Sequence, residues 1–409
     1  MKSITTVWML LLSFSHLVCQ DSLTVDQFLQ NYNHEASVEY MQRKITHLND
    51  LSYRLPLIEK VEFRTETNNF DLQQQEYLIR VTPNSIKNRK TQGQYHETVQ
   101  HMAQMELEYT KSKELRERYE LMVELYYSKA FLASHRQHQV LHNDKVTLLR
   151  RSSSLPGFDI LELINAEDRA QENLHSILDL ENKIFTLEKT IKKMHQTNLS
   201  VSFSGFRFVT MEGIKDLMVA VSSNAILSHT ALDLLSAETY KTMLEYEWET
   251  AKSKFSLGYV QAQYGYSPGD PFRKNFSIGL GFDIPLKSTG RLDLNEIQVK
   301  ILESENEYFQ MRNQIEENIF TLEQKLNNLI SRHDLVTSHL KDSQAEFALQ
   351  EYSKIAEASP RALLQLRENT LKKQLLLQEL EREIYMTFVE FLDLTGTISQ
   401  QPETNLLGN

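Results

Sequence analysis

Apolar residues alternate with small or polar ones in two segments between residues 255 and 284. Phe255, Leu257 and Tyr259 mark the first segment, and every second residue from Phe276 to Ile284 is apolar in the other. This period of two predicts strands at about 255–266 and 275–284, each with one apolar and one polar face. Glycine and serine on the polar face suit a sheet with lipid outside and a crowded or watery interior. Half of a soluble β-sandwich is the alternative.

A second pair of alternating segments lies in the first half of the chain. Val61 and Phe63 are the apolar positions of one segment, and Tyr77, Ile79 and Val81 are those of the other. They predict strands at about 61–67 and 76–82. Pro83 then ends the second strand, since proline has no N–H group for the sheet.

Each pair of strands leads into a long polar stretch of helical character. The first helix is predicted from about residue 90 to 150, and the turn at 152–157 leads to a returning helix from about 160 to 196. In the returning helix, apolar residues recur alternately at three and four positions, which is a coiled-coil seam. Its members are Ile177, Leu180, Ile184, Leu187, Ile191 and Met194. Two such helices predict an antiparallel hairpin at about 90–197.

The same order of segments occurs again in the second half. An opening helix is predicted at about 22–54 in one half and at about 211–254 in the other, and the second hairpin spans about 291–394. Pro83 and Pro285 end matching strands, and Asp159 and Ala362 begin the returning helices at nearly the same spacing. An internal duplication is the simplest explanation. We predict a signal peptide at 1–19, repeats at 20–208 and 209–396, and a C-terminal tail at 397–409.

Four strands are too few to close a barrel, and an open sheet edge in lipid leaves backbone groups unsatisfied. Three copies would supply twelve strands, the smallest set that we expect to enclose water. The predicted fold is therefore mostly α-helical with a small β part. Long antiparallel helical hairpins form an α-barrel or tunnel, four strands join a trimeric 12-stranded transmembrane β-barrel, and the chain has an internal two-fold repeat.

Composition supports long helices and argues against nucleic-acid binding. The chain of 409 residues contains only 12 Gly and 8 Pro, the two residue types that disfavour helices most strongly. The formal net charge is -11, and Lys and Arg are not clustered in any block. Nucleic acid is therefore not an expected partner, because binding it requires clustered cations that neutralise phosphates.

The N-terminus has the pattern of a secretory signal, with Lys2 followed by a mostly apolar run from Ile4 to Phe14. Beyond this run, no segment reaches the roughly 20 apolar residues that a membrane-spanning helix requires. Membrane contact would then depend on strands or on lipid. Cys19 is the only cysteine and is a candidate for lipidation; the alternative is a signal-region residue that is removed.

Three histidines, His135, His138 and His142, fall on one stripe of the first long helix. A metal site is one interpretation, and a solvated or tunnel-facing stripe is the other. Cysteine and reciprocal carboxylate motifs are absent, so we expect no metal site. The sequence also lacks a phosphate-binding glycine loop, a nucleophile elbow and a zinc-protease His-Glu pair. We therefore expect neither an enzyme nor a bound cofactor.

Four segments in a fixed order carry a family resemblance: Ser22–Asp26, Leu55–Pro56, Gly279–Leu286 and Phe391–Gly396. With the repeat, they resemble the TolC-like outer-membrane efflux and secretion channels, or outer membrane factors, over nearly the whole mature chain. The resemblance implies a homotrimer with its barrel in outer-membrane lipid of a Gram-negative cell and its helices in the periplasm. It also implies a passive conduit that meets a periplasmic adaptor, or membrane fusion protein, and an inner-membrane pump of RND or ABC type. Such a channel serves tripartite efflux or type I secretion.

The resemblance further implies which residues form the helix-turn-helix tips. The adaptor-contact residues carried over are Pro156, Gly157, Asp159, Ile160, Leu161, Ser359, Pro360, Leu363 and Leu364. The candidate gate residues are Tyr352, Glu357 and Gln365. Ala362 and Gln365 stand where the best-known member of the family has acidic gate residues, so an aspartate gate is not expected. The alternative for all of these is ordinary turn and capping positions.

A soluble periplasmic coiled-coil scaffold or interaction protein is the competing hypothesis. A soluble scaffold does not require four strands with one apolar face each, so the strands distinguish the two hypotheses. The cargo, whether drug, metal or protein, is left open by the sequence, because cargo choice lies largely with the pump and the adaptor.

Overall fold

The computed structural model describes residues 22–50, 56–67, 75–154, 157–222, 229–252, 256–265, 269, 271, 275–283, 291–342, 351 and 359–408. The chain divides into two compact units. Unit 1 consists of Met1–Ala36, Lys111–Leu227 and Glu316–Asn409. Unit 2 consists of Ser37–Thr110 and Ser228–Ile315.

The helices and strands follow one another in a repeated order. They are β1 (Ser22–Thr24), α1 (Val25–Gln30), a 3-10 helix (Asn31–His34), α2 (Ala36–Asp50), β2 (Ile58–Thr67), β3 (Gln75–Pro83), α3 (Ile86–Arg151), α4 (Ile160–His195), β4 (Ser200–Ser202), α5 (Met211–Ser222), α6 (Thr230–Lys252), β5 (Ser256–Gly265), β6 (Phe276–Asp283), α7 (Arg291–Asp342), α8 (Pro360–Leu394) and α9 (Thr397–Gln400). Two strands, a very long helix and a returning helix occur twice in this order. The described residues thus confirm the mostly helical fold with a small β part.

The opening segment differs from the single helix that the sequence predicts at about 22–54. Ser22–Thr24 is a strand, and it pairs in parallel with Ser200–Ser202 in unit 1. The Thr24 hydroxyl then caps α1 by accepting a hydrogen bond from the Gln27 N–H, while the Gln27 side chain accepts one from the Thr24 N–H. The 3-10 helix separates α1 from α2. Parallel pairing joins distant parts of the chain, so the local pattern could not reveal it.

A buried charge anchors α1 to α3 in unit 1. The Arg118 side chain is 0% exposed; its guanidinium donates a hydrogen bond to the Phe28 carbonyl at 2.8 Å and forms an ion pair with Glu35. The guanidinium carbon also lies 5.1 Å from the centroid of the Phe28 ring. A charge can be buried when it is paired and hydrogen-bonded, so these contacts fix the segment around α1.

The core of unit 1 includes the C-terminal residues. Phe388 and Phe391 of α8 are fully buried, as is Leu407. The Tyr119 hydroxyl donates a hydrogen bond to the Thr404 carbonyl at 3.1 Å and accepts one from the Leu406 N–H at 3.0 Å. The predicted tail at 397–409 therefore packs into unit 1 as far as residue 408.

A seam of apolar residues at coiled-coil spacing runs along the buried side of α7. Its buried members are Ile315, Ile319, Leu322, Leu326 and Leu329. His333, the polar member of the seam, lies in unit 1 with its Nε2 atom 3.6 Å from a carboxylate oxygen of Glu381. Apolar residues at coiled-coil spacing thus give α7 its buried side.

No helix among the described residues combines the length and the apolar character needed to span a membrane.

Candidate functional site

The sheet of unit 2 is the first candidate site. Its strands lie in the order β2-β3-β5-β6, and each is antiparallel to its neighbour. The register aligns apolar residues in rows across one face: Val61, Val81, Val260 and Leu280; Phe63, Ile79, Ala262 and Ile278; Tyr77, Tyr264 and Phe276. Phe63 is 63% exposed and Ile278 is 71% exposed. This apolar face is open on the described chain.

The opposite face of the same sheet is polar. Its rows are Glu62, Arg80, Gln261 and Gly279, and Arg64, Leu78, Gln263 and Ser277. The Arg80 guanidinium donates to the Gln261 side-chain oxygen at 3.0 Å, and the Gln263 amide donates to Glu76 at 3.0 Å. Ion pairs join Lys60 to Glu62 and Arg64 to Glu66 along β2. Leu78 is the apolar exception on this face.

The prediction that Tyr259 lies on the apolar face with Leu257 is wrong, because a register irregularity between Leu257 and Tyr259 turns Tyr259 to the polar face. Two glycines of β6 make room for long side chains of β5 on this face. A Cβ atom on Gly281 would lie 2.2 Å from the Tyr259 ring, and one on Gly279 would lie 3.0 Å from the Gln261 side chain. The Tyr259 ring also contacts the Arg80 guanidinium, whose carbon is 4.1 Å from the ring centroid. The glycines in the alternating pattern therefore let Tyr259 and Gln261 lie across the neighbouring strand.

Two edges of this sheet remain available for pairing. Among the described strands, β2 and β6 each have a neighbour on one side only. The outer edge of such a strand presents backbone N–H and C=O groups that can pair with another chain. The sheet is therefore able to extend at both ends.

The helix ends of unit 1 are the second candidate site. Gly157 has a φ of +82°, a left-handed conformation that favours glycine. The Asp159 carboxylate then caps α4 by accepting a hydrogen bond from the Leu161 N–H at 2.9 Å. Ile160 and Leu161 follow in the first turn and are 62% and 65% exposed. Two apolar side chains are thus presented at the beginning of α4.

The beginning of α8 is built differently. Ser359 precedes the helix, Pro360 occupies its first turn, and the Ser359 carbonyl accepts hydrogen bonds from the N–H groups of Ala362 and Leu363. Proline suits this position because its missing N–H would be unpaired there in any case. Leu363 and Leu364 are half-buried, and exposed Gln365 donates to the Asn369 side chain at 3.3 Å.

An ion pair brings the beginnings of α4 and α8 together. Glu162 of α4 pairs with Arg361 of α8. Arg150, at the end of α3, pairs with Glu167 of α4 at 2.7 Å. The sequence prediction missed this use of Glu162 and Arg361. Opposite charges in the first turns of two helices were the only signal, and they do not reveal which helices meet.

Several of the predicted residues lie outside the described part of the chain. These are Cys19, Pro156, Tyr352 and Glu357, together with the signal peptide at 1–19. Their predicted roles in lipidation, adaptor contact and gating stay predictions. The roles predicted for the described tip residues also stay predictions, although the structure places them at the helix ends.

The histidine stripe of α3 is packed within unit 1 and is not solvated. His138 is 4% exposed and His142 is 9% exposed, and their ring centroids are 6.1 Å apart. The Nδ1 atom of His135 is hydrogen-bonded to the Asn173 side-chain oxygen at 2.8 Å. Desolvation by burial lowers the pKa of both His138 and His142. Within the described ranges, no group of three or more His, Cys, Asp or Glu side chains is arranged to hold a metal ion.

Comparison with solved structures gives a consistent result. The outer-membrane channel OprN matches with a TM-score of 0.68 and 11% identity, over 91% of this chain and 89% of that chain. The MtrE outer membrane channel of Neisseria gonorrhoeae, in its open state, matches with a TM-score of 0.68 and 8% identity, over 91% and 88%. The outer membrane protein VceC of Vibrio cholerae matches with a TM-score of 0.62 and 12% identity, over 91% and 96%. No protein-family model and no curated protein matches the sequence.

The chain has the fold of TolC-like outer-membrane channels. The resemblance inferred from the sequence is confirmed for this channel fold, which extends over nearly the whole chain. Identities this low leave the cargo, the partners and the roles of individual residues to be argued from the chain itself.

Proposed function

We propose that three copies of this chain form a passive channel through an outer membrane. The observation that carries the proposal is the two-faced sheet of unit 2. Its apolar rows are exposed on the described chain, although a water-soluble antiparallel sheet normally packs such a face into a core. Large exposed apolar patches mark membrane or protein contacts. Outer-membrane lipid is the partner that best suits rows of Val, Ile, Leu and Phe.

The edges of the sheet supply the reason for oligomerisation. Neighbouring strands alternate in direction, so β6 of one copy can pair with β2 of the next and keep the antiparallel pattern. Two copies would give eight strands, and the interior of an eight-stranded barrel is filled by its own side chains. Three copies would give twelve strands and a wider lumen. Closure also removes the open edges that lipid does not tolerate.

The polar face then lines the lumen. Charges of both signs are present on it, and Lys60, Glu62, Arg64 and Glu66 are joined in ion pairs. A hydrated lining of this kind suits polar cargo that passes without tight binding. We therefore assign the chain no chemistry of its own, and energy for transport would come from an inner-membrane pump of RND or ABC type.

The helix ends of unit 1 would form the periplasmic entrance. Exposed Ile160 and Leu161 offer an apolar contact for a periplasmic adaptor, with Gly157, Asp159 and Ser359 shaping the turns beside them. The Glu162–Arg361 ion pair would hold the beginnings of α4 and α8 together in the closed entrance. This arrangement fits a tripartite efflux or type I secretion system.

Two lysine substitutions at neighbouring positions of β6 test the proposed sheet orientation. Ile278→Lys places a charge on the apolar face, and Ser277→Lys places the same charge on the polar face. A lysine at the bilayer midplane of a barrel costs about 2–4 kcal/mol, and three copies would carry three such charges. We expect Ile278→Lys to prevent insertion into outer membranes, whereas Ser277→Lys inserts and changes the ion selectivity measured in planar bilayers.

The competing scaffold hypothesis predicts another result. In a soluble protein Ile278 would remain exposed to water, so Ile278→Lys would leave folding and yield unchanged. Equal membrane insertion and equal conductance of the two variants would contradict the proposed orientation. Purified protein that remains soluble without detergent and produces no conductance would contradict the channel.

A further inference from the structure

Two buried histidines of α3, His138 and His142, lie beside a second contact between α4 and α8 in unit 1. Arg169 and Glu368 follow Glu162 and Arg361 by about two helical turns on α4 and α8, and they approach each other to 3.9 Å. His138 and His142 of α3 face this second contact. The pair therefore lies where α3, α4 and α8 pack together.

The histidine pair is packed in a way that favours neutral rings. Its ring planes are 21° apart, in a stacked arrangement. The Nε2 atom of His138 is buried and has no hydrogen-bond partner among the described residues. A protonated imidazole donates from both ring nitrogens, so a proton on His138 would leave a buried, charged N–H without an acceptor.

The charged groups around the pair are mostly cations. They are Lys145 on α3, Arg169 on α4, and Glu368 and Lys372 on α8, and His135 on α3 is a further titratable neighbour. Glu368 is the one carboxylate among these neighbours, and it already accepts a hydrogen bond from Lys372 at 2.6 Å. The Glu368 carboxylate attracts a proton on either ring, but Lys372 repels it on both rings, and Lys145 and Arg169 also repel it on His142. The packed arrangement opposes protonation by desolvation and by repulsion.

The sign of the pH effect follows from this. Burial lowers the pKa of His138 and His142 below the ordinary value of 6.5. The separated helices would expose the rings to water and so bind protons at a higher pH than the packed helices do. The contribution of the pair to packing is therefore fully present above about pH 6.5 and is lost as the pH falls.

We propose that His138 and His142 form a pH-sensitive element that loosens α8 from the α3–α4 hairpin in acid. The proposal concerns packing within one chain and does not require a channel; its consequence, easier opening of the entrance at low pH, rests on the proposed function. Each histidine whose pKa differs by one unit between the packed and separated states shifts the ratio of the two states about tenfold.

A distance measurement between α4 and α8 tests the proposal. Spin labels are attached at Asn165→Cys and Asn369→Cys, two exposed positions on these helices, in the full chain with Cys19→Ser. Labelled chains are diluted with unlabelled ones so that each assembly contains at most one labelled copy. Between pH 7.5 and 5.0 we expect the distance distribution to shift to longer values, with a midpoint below 6.5.

Three variants separate titration from a merely structural role. His138→Gln/His142→Gln should remove the pH response of the distance. His138→Leu/His142→Leu should also remove it, and this second variant guards against a disturbance of packing by glutamine. His175→Gln, at an exposed position of α4, should keep the wild-type response. A distance that is the same at both pH values in the unmodified background overturns the proposal, as does a shift that survives both double variants.

The distance between α4 and α8 is measured, and not the free energy of unfolding, because another histidine, His333, changes the stability with pH in the opposite direction. The Glu381 carboxylate, 3.6 Å from the Nε2 atom of His333, raises the pKa of His333, with a smaller contribution from Asp334. The contribution of His333 to stability is therefore present below pH 6.5 and is lost as the pH rises through its raised pKa. Single-channel recordings at the two pH values then test the consequence for the entrance separately. Conductance without a pH effect, together with a distance shift, would contradict only that consequence.

Discussion

Gly281→Ala is the sharpest test of how the polar face of the sheet is packed. A Cβ atom at this position would lie 2.2, 2.4 and 2.7 Å from three atoms of the Tyr259 ring. The ring would have to leave its place over β6 and its contact with Arg80, whose guanidinium carbon is 4.1 Å from the ring centroid. Overpacking typically costs about 1–3 kcal/mol, and a lost cation–π contact at an exposed site accounts for about 0.5–1 kcal/mol.

The assay is a double-mutant cycle on the thermal midpoint of the purified protein. Gly281→Ala should lower the midpoint by several degrees in the native background. With Tyr259→Ser, the same change should be neutral or slightly stabilising, because alanine restricts the unfolded chain more than glycine does. Gly279→Ala is the matched control on the same face, where the Cβ would meet the flexible Gln261 side chain at 3.0 Å and cost less. Equal losses from Gly281→Ala in both backgrounds would refute the proposed role of Tyr259.

Three further predictions concern unit 1. Arg118→Ala should lower the free energy of unfolding, measured by denaturant titration, by about 3 kcal/mol, because it leaves a largely buried Glu35 carboxylate unpaired. The double variant Arg118→Met/Glu35→Leu should recover most of this loss. Arg361→Gln should raise the open probability in planar bilayers by no more than about fivefold, since a partly exposed ion pair contributes about 0.2–1 kcal/mol. Arg361→Lys should change the open probability less. An unchanged open probability in Arg361→Gln would contradict the proposed role of the Glu162–Arg361 ion pair in the closed entrance. Leu326→Ala in the buried seam should lower the free energy of unfolding by about 2–5 kcal/mol. Leu335→Ala, on the exposed side of α7, should change it by no more than about 0.5 kcal/mol in the same denaturant titration.

Periodicity was sufficient to locate the strands and the long helices. Val61 and Phe63 alternate with charged residues, and this pattern alone indicates a half-buried strand. It does not give the boundaries: β2 begins at Ile58, before the predicted start at about 61, and this extension pairs with β3 across a register irregularity between Ile58 and Lys60. That extension depends on the partner strand and not on the local residues. Strand boundaries therefore shifted by a few residues. The opening helices were not predicted correctly: the segment at about 22–54 contains β1, α1, a 3-10 helix and α2, and the segment at about 211–254 contains α5 and α6.

Long-range contacts were beyond the reach of the sequence pattern. Three features depend on segments that are far apart along the chain: the parallel pairing of β1 with β4, the Glu162–Arg361 ion pair and the burial of His138. A stripe of histidines looks alike whether it faces water or a second helix. Only packing decides between the two, and here it places the pair beside Glu368 and Lys372.

The number of chains in the assembly is the most direct test of the central claim that one copy cannot enclose a pore alone. The measurement is native mass spectrometry of the protein extracted from outer membranes in detergent, followed by planar-bilayer recording of the same sample. We predict a complex of three chains that conducts ions. A single conducting chain, or a three-chain complex that is recovered from the soluble fraction and does not conduct, would contradict the account.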